Sequence, residues 1–286
     1  MRCPTCDHDN TATIQECPTC HTPVGAPVLR PDVQVRPVRG IGRATAVAVG
    51  VATLGYLLTV LALPVSAAIT AEAGRRLDAD LVLTADLLQT AAGLPYLVGV
   101  LTAAVLMIIW TWRAFKNLDA FPGAGGQLSD GWAIAGWLVP FANFVVPYRV
   151  VANIARDSLW RLSTPGLVKL WWGAWLVFLF GDWYVGRNDL RAYLALASTP
   201  RTSAQFQAYT DYFTAAIGPY AVVGLACAVA GTSLIVLIHR ISAAQEARIA
   251  RASSGPVLPG STVSAPIGVY LASPPAAPAA GGTIGA

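Results

Sequence analysis

The strongest constraint on this chain is how far it runs without a charge. Residues 44–71, 87–112, 131–148 and 213–238 contain no Asp, Glu, Lys or Arg, and a shorter run, 170–181, lies between Lys169 and Asp182. About 20 apolar residues are needed for a helix to cross the hydrocarbon core of a bilayer. Charged residues make up only 12% of the chain against 55% hydrophobic, roughly half the charged share of a soluble domain. Lipid accounts for the deficit. The expected class is an all-α integral membrane helical bundle. The first run begins after residue 43 and is too long for the apolar core of a signal peptide, so it reads as a retained span.

Five runs do not make five spans. The candidates are 44–69, 94–112, 131–148, 167–185 and 215–239. If all five crossed, the Lys and Arg beyond Arg2 of the N-terminal segment would divide nine to nine between the two sides. If 131–148 instead enters and returns on one side, thirteen fall on the side of the N-terminus and five on the other. Cytoplasmic flanks carry the excess of Lys and Arg, so four spans with both termini cytoplasmic are expected. The third run also has its own reason to break. Pro140 and Pro147 each remove a backbone donor and crowd the preceding turn, with Asn143 between them. A kinked but complete span is the alternative to a re-entrant or interfacial segment. Beyond Pro147, Val151, Ile154, Ala155, Leu159 and Leu162 form one side of an amphipathic helix, and Arg149, Asn153 and Arg156 form the other. A second polar-to-amphipathic helix is expected at 75–92. Trp160, Trp171, Trp172, Trp175 and Trp183 place rings near both ends of run 167–185, as interfacial belts do.

The one strong chemical motif precedes the membrane. Cys3-Pro-Thr-Cys6 and Cys17-Pro-Thr-Cys20 form two knuckles ten residues apart. Such pairs present four thiolates tetrahedrally to zinc. Residues 1–22 are too few for a core, so their folding free energy would come largely from the metal. One zinc ion on Cys3, Cys6, Cys17 and Cys20 is the expected cofactor. A redox dithiol, a pair of disulfides and a four-sulfur iron site are the alternatives, and a reducing cytosol disfavours disulfides. His8 and His21 read as bystanders, and Cys227 as a small apolar residue inside a span. With Arg2 set against Asp7, Asp9 and Glu16, the ribbon is acidic. That argues against nucleic acid, which selects clustered Lys and Arg, and for a cytoplasmic protein partner.

Residues 23–43 read as a Pro/Arg linker and 243–286 as a disordered Pro/Ala/Gly tail. No phosphate loop, His-Glu-x-x-His or nucleophile elbow is present, so no enzyme and no catalytic residue are expected. Asp182 reads as part of an outer-surface ion pair with Arg187 and Asp189, and His239 as an interfacial residue. The small residues Ala46, Gly50, Gly224, Ala228 and Gly231 read as packing positions within the monomer.

Three further stretches resemble a known family. Trp112-Arg113-Ala114-Phe115-x-Asn117-Leu118 is similar to the first signature of an actinobacterial membrane family, domain of unknown function 4328. Gly131-Trp132, Gly136-Trp137, Pro140, Asn143 and Pro147 resemble its second signature, and Arg156-Asp157-Ser158 its third. The resemblance covers about 44–242 and implies a bacterial plasma-membrane protein, without naming an activity. The functional expectation is a non-enzymatic anchor, sensor or scaffold with the ribbon as a cytoplasmic docking module. The alternative is a lipid or small apolar solute pocket around 131–148, with Arg113, Asn117, Asn143 and Arg156 as its polar contacts. The bilayer is the expected partner in either case, and oligomeric state is left open.

Overall fold

A computed structural model describes residues 2, 3, 6, 8–11, 14–19, 24, 28–122, 124, 128–161 and 163–253. Cys20, His21, Leu162 and the expected tail from 254 onward lie outside the described residues.

Six α-helices follow in order: α1 (Arg39–Arg76), α2 (Ala79–Lys116), α3 (Trp132–Leu138), α4 (Val146–Ser158), α5 (Gly166–Leu194) and α6 (Ser203–Ser253). Short 3-10 turns occupy Asn117–Ala120 and Ala142–Phe144. Among the described residues, three helices are long and apolar enough to cross a membrane: α1, α2 continued through its terminal turn to Ala120, and α6. Each tolerates one internal proline, Pro64, Pro95 and Pro219 respectively, because neighbouring helices re-satisfy the backbone around it. Outward-facing Leu54, Leu58, Leu61 and Val65 of α1, with Leu94, Leu97, Leu101 and Val105 of α2, form broad exposed apolar stripes. Stripes of that size mark a lipid- or protein-facing surface.

The helices run alternately up and down. A tight turn joins α1 to α2. Leu77 takes a left-handed conformation (φ 54°) to end α1, and the Asp78 carboxylate caps α2 by accepting from the Asp80 N–H at 2.9 Å. Both helices then return in close contact. A Cβ on Gly99 would lie 2.6 Å from the Ala52 nitrogen, and one on Gly55 would lie 2.8 Å from the Pro95 carbonyl carbon. Only glycine admits backbones this near. On the opposite side of α1, Gly231 of α6 faces Thr53, and Gly224 faces Val60 and Leu57. These small residues therefore serve packing within the chain. α1 is thus flanked by α2 and α6, while α5 packs on α6.

This alternation defines two ends. The base carries the start of α1, the end of α2, α3, α4, the start of α5 and the end of α6. The far end carries the α1–α2 turn and the α5–α6 connection. Its core at the base is the largest in the molecule, with Trp110, Phe121, Ile154, Leu237, Ile238 and Ile241 essentially fully buried.

Several expectations change. The third apolar run is broken: seven-residue α3 is about 10 Å long, and the chain turns at Phe141 (φ 63°) before α4 begins. The run is therefore not one continuous helix. The expected helix at 75–92 is not separate, since α2 runs unbroken from Ala79 through Pro95 where α1 supports it. α4 does not lie on the surface: Val150, Val151, Ile154 and Ala155 are fully buried, and so, nearly, is Asn153, expected on the polar side. The last helix extends to Ser253, so 243–253 is helical and not part of a tail. Finally, at 38 residues each, α1 and α2 are roughly 57 Å long against a hydrocarbon core of about 30 Å, so both project beyond any bilayer they cross.

Candidate metal centre and the buried polar knot

The N-terminal sulfurs gather. Cys3, Cys6 and Cys17 place their Sγ atoms within 4.8 Å of one another, and Cys6 and Cys17 lie 3.6 Å apart. Thiolates bound tetrahedrally at the Zn–S distance of about 2.3 Å stand roughly 3.8 Å apart, so this spacing suits a shared ion. It is much longer than a disulfide, about 2.05 Å. The local fold that aims them is small: the Cys3 N–H donates to the His8 carbonyl at 2.8 Å, and Arg2 bridges to Asp9, with its Nε 3.3 Å from Oδ1. Cys3 and Cys17 are buried. The donor set fits a thiophilic metal. The fourth expected ligand, Cys20, lies outside the described residues.

The second cluster is at the base. Asn117 is fully buried. Its Oδ1 accepts from the Arg36 N–H at 2.7 Å, and its Nδ2 donates to the Arg36 carbonyl and to Gln245 Oε1, each at 2.9 Å. Gln245, also fully buried, donates through Nε2 to the Ala114 carbonyl at 3.0 Å and to Ser158 Oγ at 2.9 Å. One amide pair thus ties the linker, α2, α4 and α6 together. Nearby, Trp110 Nε1 donates to Ser242 Oγ at 3.0 Å. Arg248 donates to the Val28 and Pro122 carbonyls at 3.2 and 3.4 Å while its guanidinium covers the Phe121 ring at 4.2 Å. Glu246 of α6 caps α1, its Oε1 accepting from the Val38 and Arg39 N–H groups at 3.0 and 3.1 Å. The linker is therefore docked from Val28 to Val38 and is not a free spacer. Arg36 adds to this by stacking over Trp112 at 4.4 Å.

Of the four residues expected to line a polar pocket, the structure brings two together. Arg113 reaches the Pro37 carbonyl at 3.5 Å, beside Asn117 on the same stretch of linker. Arg156 pairs with Asp157 at 2.9 Å. Asn143 sits in the break after α3, its Oδ1 buried with no hydrogen-bond partner among the described residues. The bonding capacity of Asn117 is taken up by protein groups, which makes it a structural residue.

A family model matches residues 73–243, well over half of the chain. The chain belongs to DUF4328, a domain of unknown function. Neither the curated proteins nor the solved structures contain a match. The DUF4328 region opens at the end of α1 and closes within α6. Two of the stretches that resemble DUF4328 meet in space: Asn117 from the first and Ser158 from the third both bond Gln245. Gln245, Glu246 and Arg248 escaped sequence reasoning because they follow the last apolar run. A signal did exist, since Ile238, Ile241, Ser242, Gln245 and Arg248 repeat at helical spacing and are all buried.

Proposed function

We propose that this DUF4328 protein is a non-enzymatic bacterial plasma-membrane protein that displays a zinc-dependent docking ribbon on its cytoplasmic side. In this reading α5, with 29 residues, is a fourth span beside the three apolar helices, and both termini are cytoplasmic. The charge distribution supports it. Arg30, Arg36, Arg39, Arg43, Arg113, Lys116, Arg149, Arg156, Arg161, Lys169, Arg240, Arg248 and Arg251 belong to the base, whereas Arg75, Arg76, Arg187, Arg191 and Arg201 belong to the far end. Cytoplasmic faces carry that excess. The observation that carries the docking role is the convergence of three thiols in a segment with little core of its own. Such a ribbon is folded by its metal, and it is anchored to the base through the docked linker.

Two measurements test this. Metal analysis of the purified chain should find about one zinc ion per protein, lost when Cys3, Cys6, Cys17 and Cys20 are all changed to Ser. Proximity labelling in cells should recover a cytoplasmic protein set that the same variant loses; an unchanged set would refute docking. For orientation, Ser163→Cys at the base should resist an impermeant thiol reagent in intact cells and Ser198→Cys at the far end should react. The reverse pattern would invert the protein.

A further inference from the structure

The far end holds a different kind of polar site. Asp86 of α2 and Asp189 of α5 both line a cavity of about 420 Å³ between α1, α2, α5 and α6. Its aromatic wall is Tyr193, Tyr212, Phe213 and Tyr220. A second cavity of about 240 Å³ shares Asp189, Tyr212 and Tyr220 with the first, so the three side chains stand between two open volumes. Tyr193 donates to Asp86 Oδ2 at 3.1 Å, and its ring lies 5.7 Å from that of Tyr212. About 10 Å deeper along α5, at seven residues' rise, Asp182 accepts from the Tyr56 hydroxyl at 2.7 Å.

The charge on these carboxylates is not balanced by the protein. Among the described residues, Asp86, Asp182 and Asp189 form no ion pair. Three cations of the far end are engaged elsewhere: Arg75 and Arg76 both pair with Glu72, and Arg187 lies over the Trp183 ring at 5.6 Å. The expected Asp182–Arg187 surface pair does not form, because Asp182 turns inward to Tyr56. Carboxylates grouped within a membrane domain without a protein cation mark a ligand or ion pathway. The lining discriminates between ions. Mg²⁺ and Ca²⁺ take oxygen donors and gain nothing from aromatic rings, whereas an ammonium group is held jointly by carboxylates and ring faces. The larger cavity also falls in the size range of small-molecule sites, about 300–1,000 Å³.

We propose that the far-end cavity binds an organic ammonium ion, with Asp86 and Asp189 as counter-charges and Tyr193, Tyr212 and Tyr220 as its aromatic enclosure. The site is independent of the ribbon and of the docking role.

The test is calorimetric titration of the full chain in nanodiscs with tetraethylammonium and with butylamine. Saturable binding of at least one is expected. Asp86→Asn and Asp189→Asn should each weaken it about tenfold, and Tyr220→Leu about fivefold. Tyr193→Phe keeps the ring and should stay within about twofold. Asp211→Asn, outside the cavity and bonded to Gln207, should leave binding unchanged. Each variant is first shown to have the parent's elution profile and unfolding temperature; Asn is isosteric with Asp, and Tyr220→Leu supplies a second probe if one Asp variant fails to fold. Absence of saturable binding, affinity unchanged from the parent in both Asp→Asn variants, or displacement by equimolar Mg²⁺ would overturn the proposal.

Discussion

The two ends of the bundle treat buried polar groups in opposite ways. At the base, Asn117 and Gln245 are fully buried and every polar atom they offer meets a protein partner. At the far end, Asp86 and Asp189 are only partly covered, face open volume, and meet tyrosine hydroxyls but no cation. A satisfied network rigidifies and specifies one arrangement, whereas a group left without compensation costs stability. The comparison teaches that polarity inside this domain has two separate uses: joining elements at one end and leaving charge available at the other.

The sharpest way to break the comparison is at Gln245. Gln245→Leu removes a partner from Asn117 Nδ2, the Ala114 carbonyl and Ser158 Oγ at once, and each buried group left unsatisfied costs about 1–3 kcal/mol. A loss of about 3 kcal/mol or more is expected, read as a large fall in unfolding temperature in detergent. If the variant were as stable as the parent, the knot would not be structural. Ser242→Ala removes one partner, that of Trp110, and should cost about 1 kcal/mol in the same assay. At the far end the sign should change. Asp86→Asn or Asp189→Asn deletes an unbalanced charge, so stability in ligand-free buffer should hold or rise by up to about 1 kcal/mol. A loss as large as that of Gln245→Leu would mean that both ends follow one rule. The smallest effect is expected from Arg187→Lys, which keeps the charge and alters only an exposed stacking on Trp183, within about 0.5 kcal/mol.

Much of this was legible in the sequence, and the failures have physical causes. Charge-free runs located α1, α2 and α6, and Pro140 located the break after α3. The duplicated Cys-x-x-Cys spacing brought Cys3, Cys6 and Cys17 into one cluster. Asn117 was found through its motif and assigned the wrong kind of contact, since a sequence shows a polar residue beside a span but not the Gln245 amide that will meet it 128 residues later. The helix beyond His239 was cut short because hydropathy falls there while helical periodicity continues. Asp86 and Asp189 were invisible as a pair: each sits at the edge of an apolar stretch, where an isolated carboxylate reads as a water-facing residue. Only the packing of four helices turns them toward one space.

The docked linker sets a radius for the ribbon. Among the described residues, its first point bonded to the base is Val28, whose carbonyl accepts from Arg248. The Val24 N–H donates to the Gln15 carbonyl at 2.9 Å within the ribbon, so the tether is counted from Val24 to Val28, and four residues fully extended reach roughly 14 Å. A linker free up to Arg39 would have allowed about 50 Å. Any protein recognised by the ribbon must therefore come almost to the membrane, and the tether raises its local concentration there through shortness alone. Loosening Arg248 would lengthen the leash without touching a single ligand of the metal.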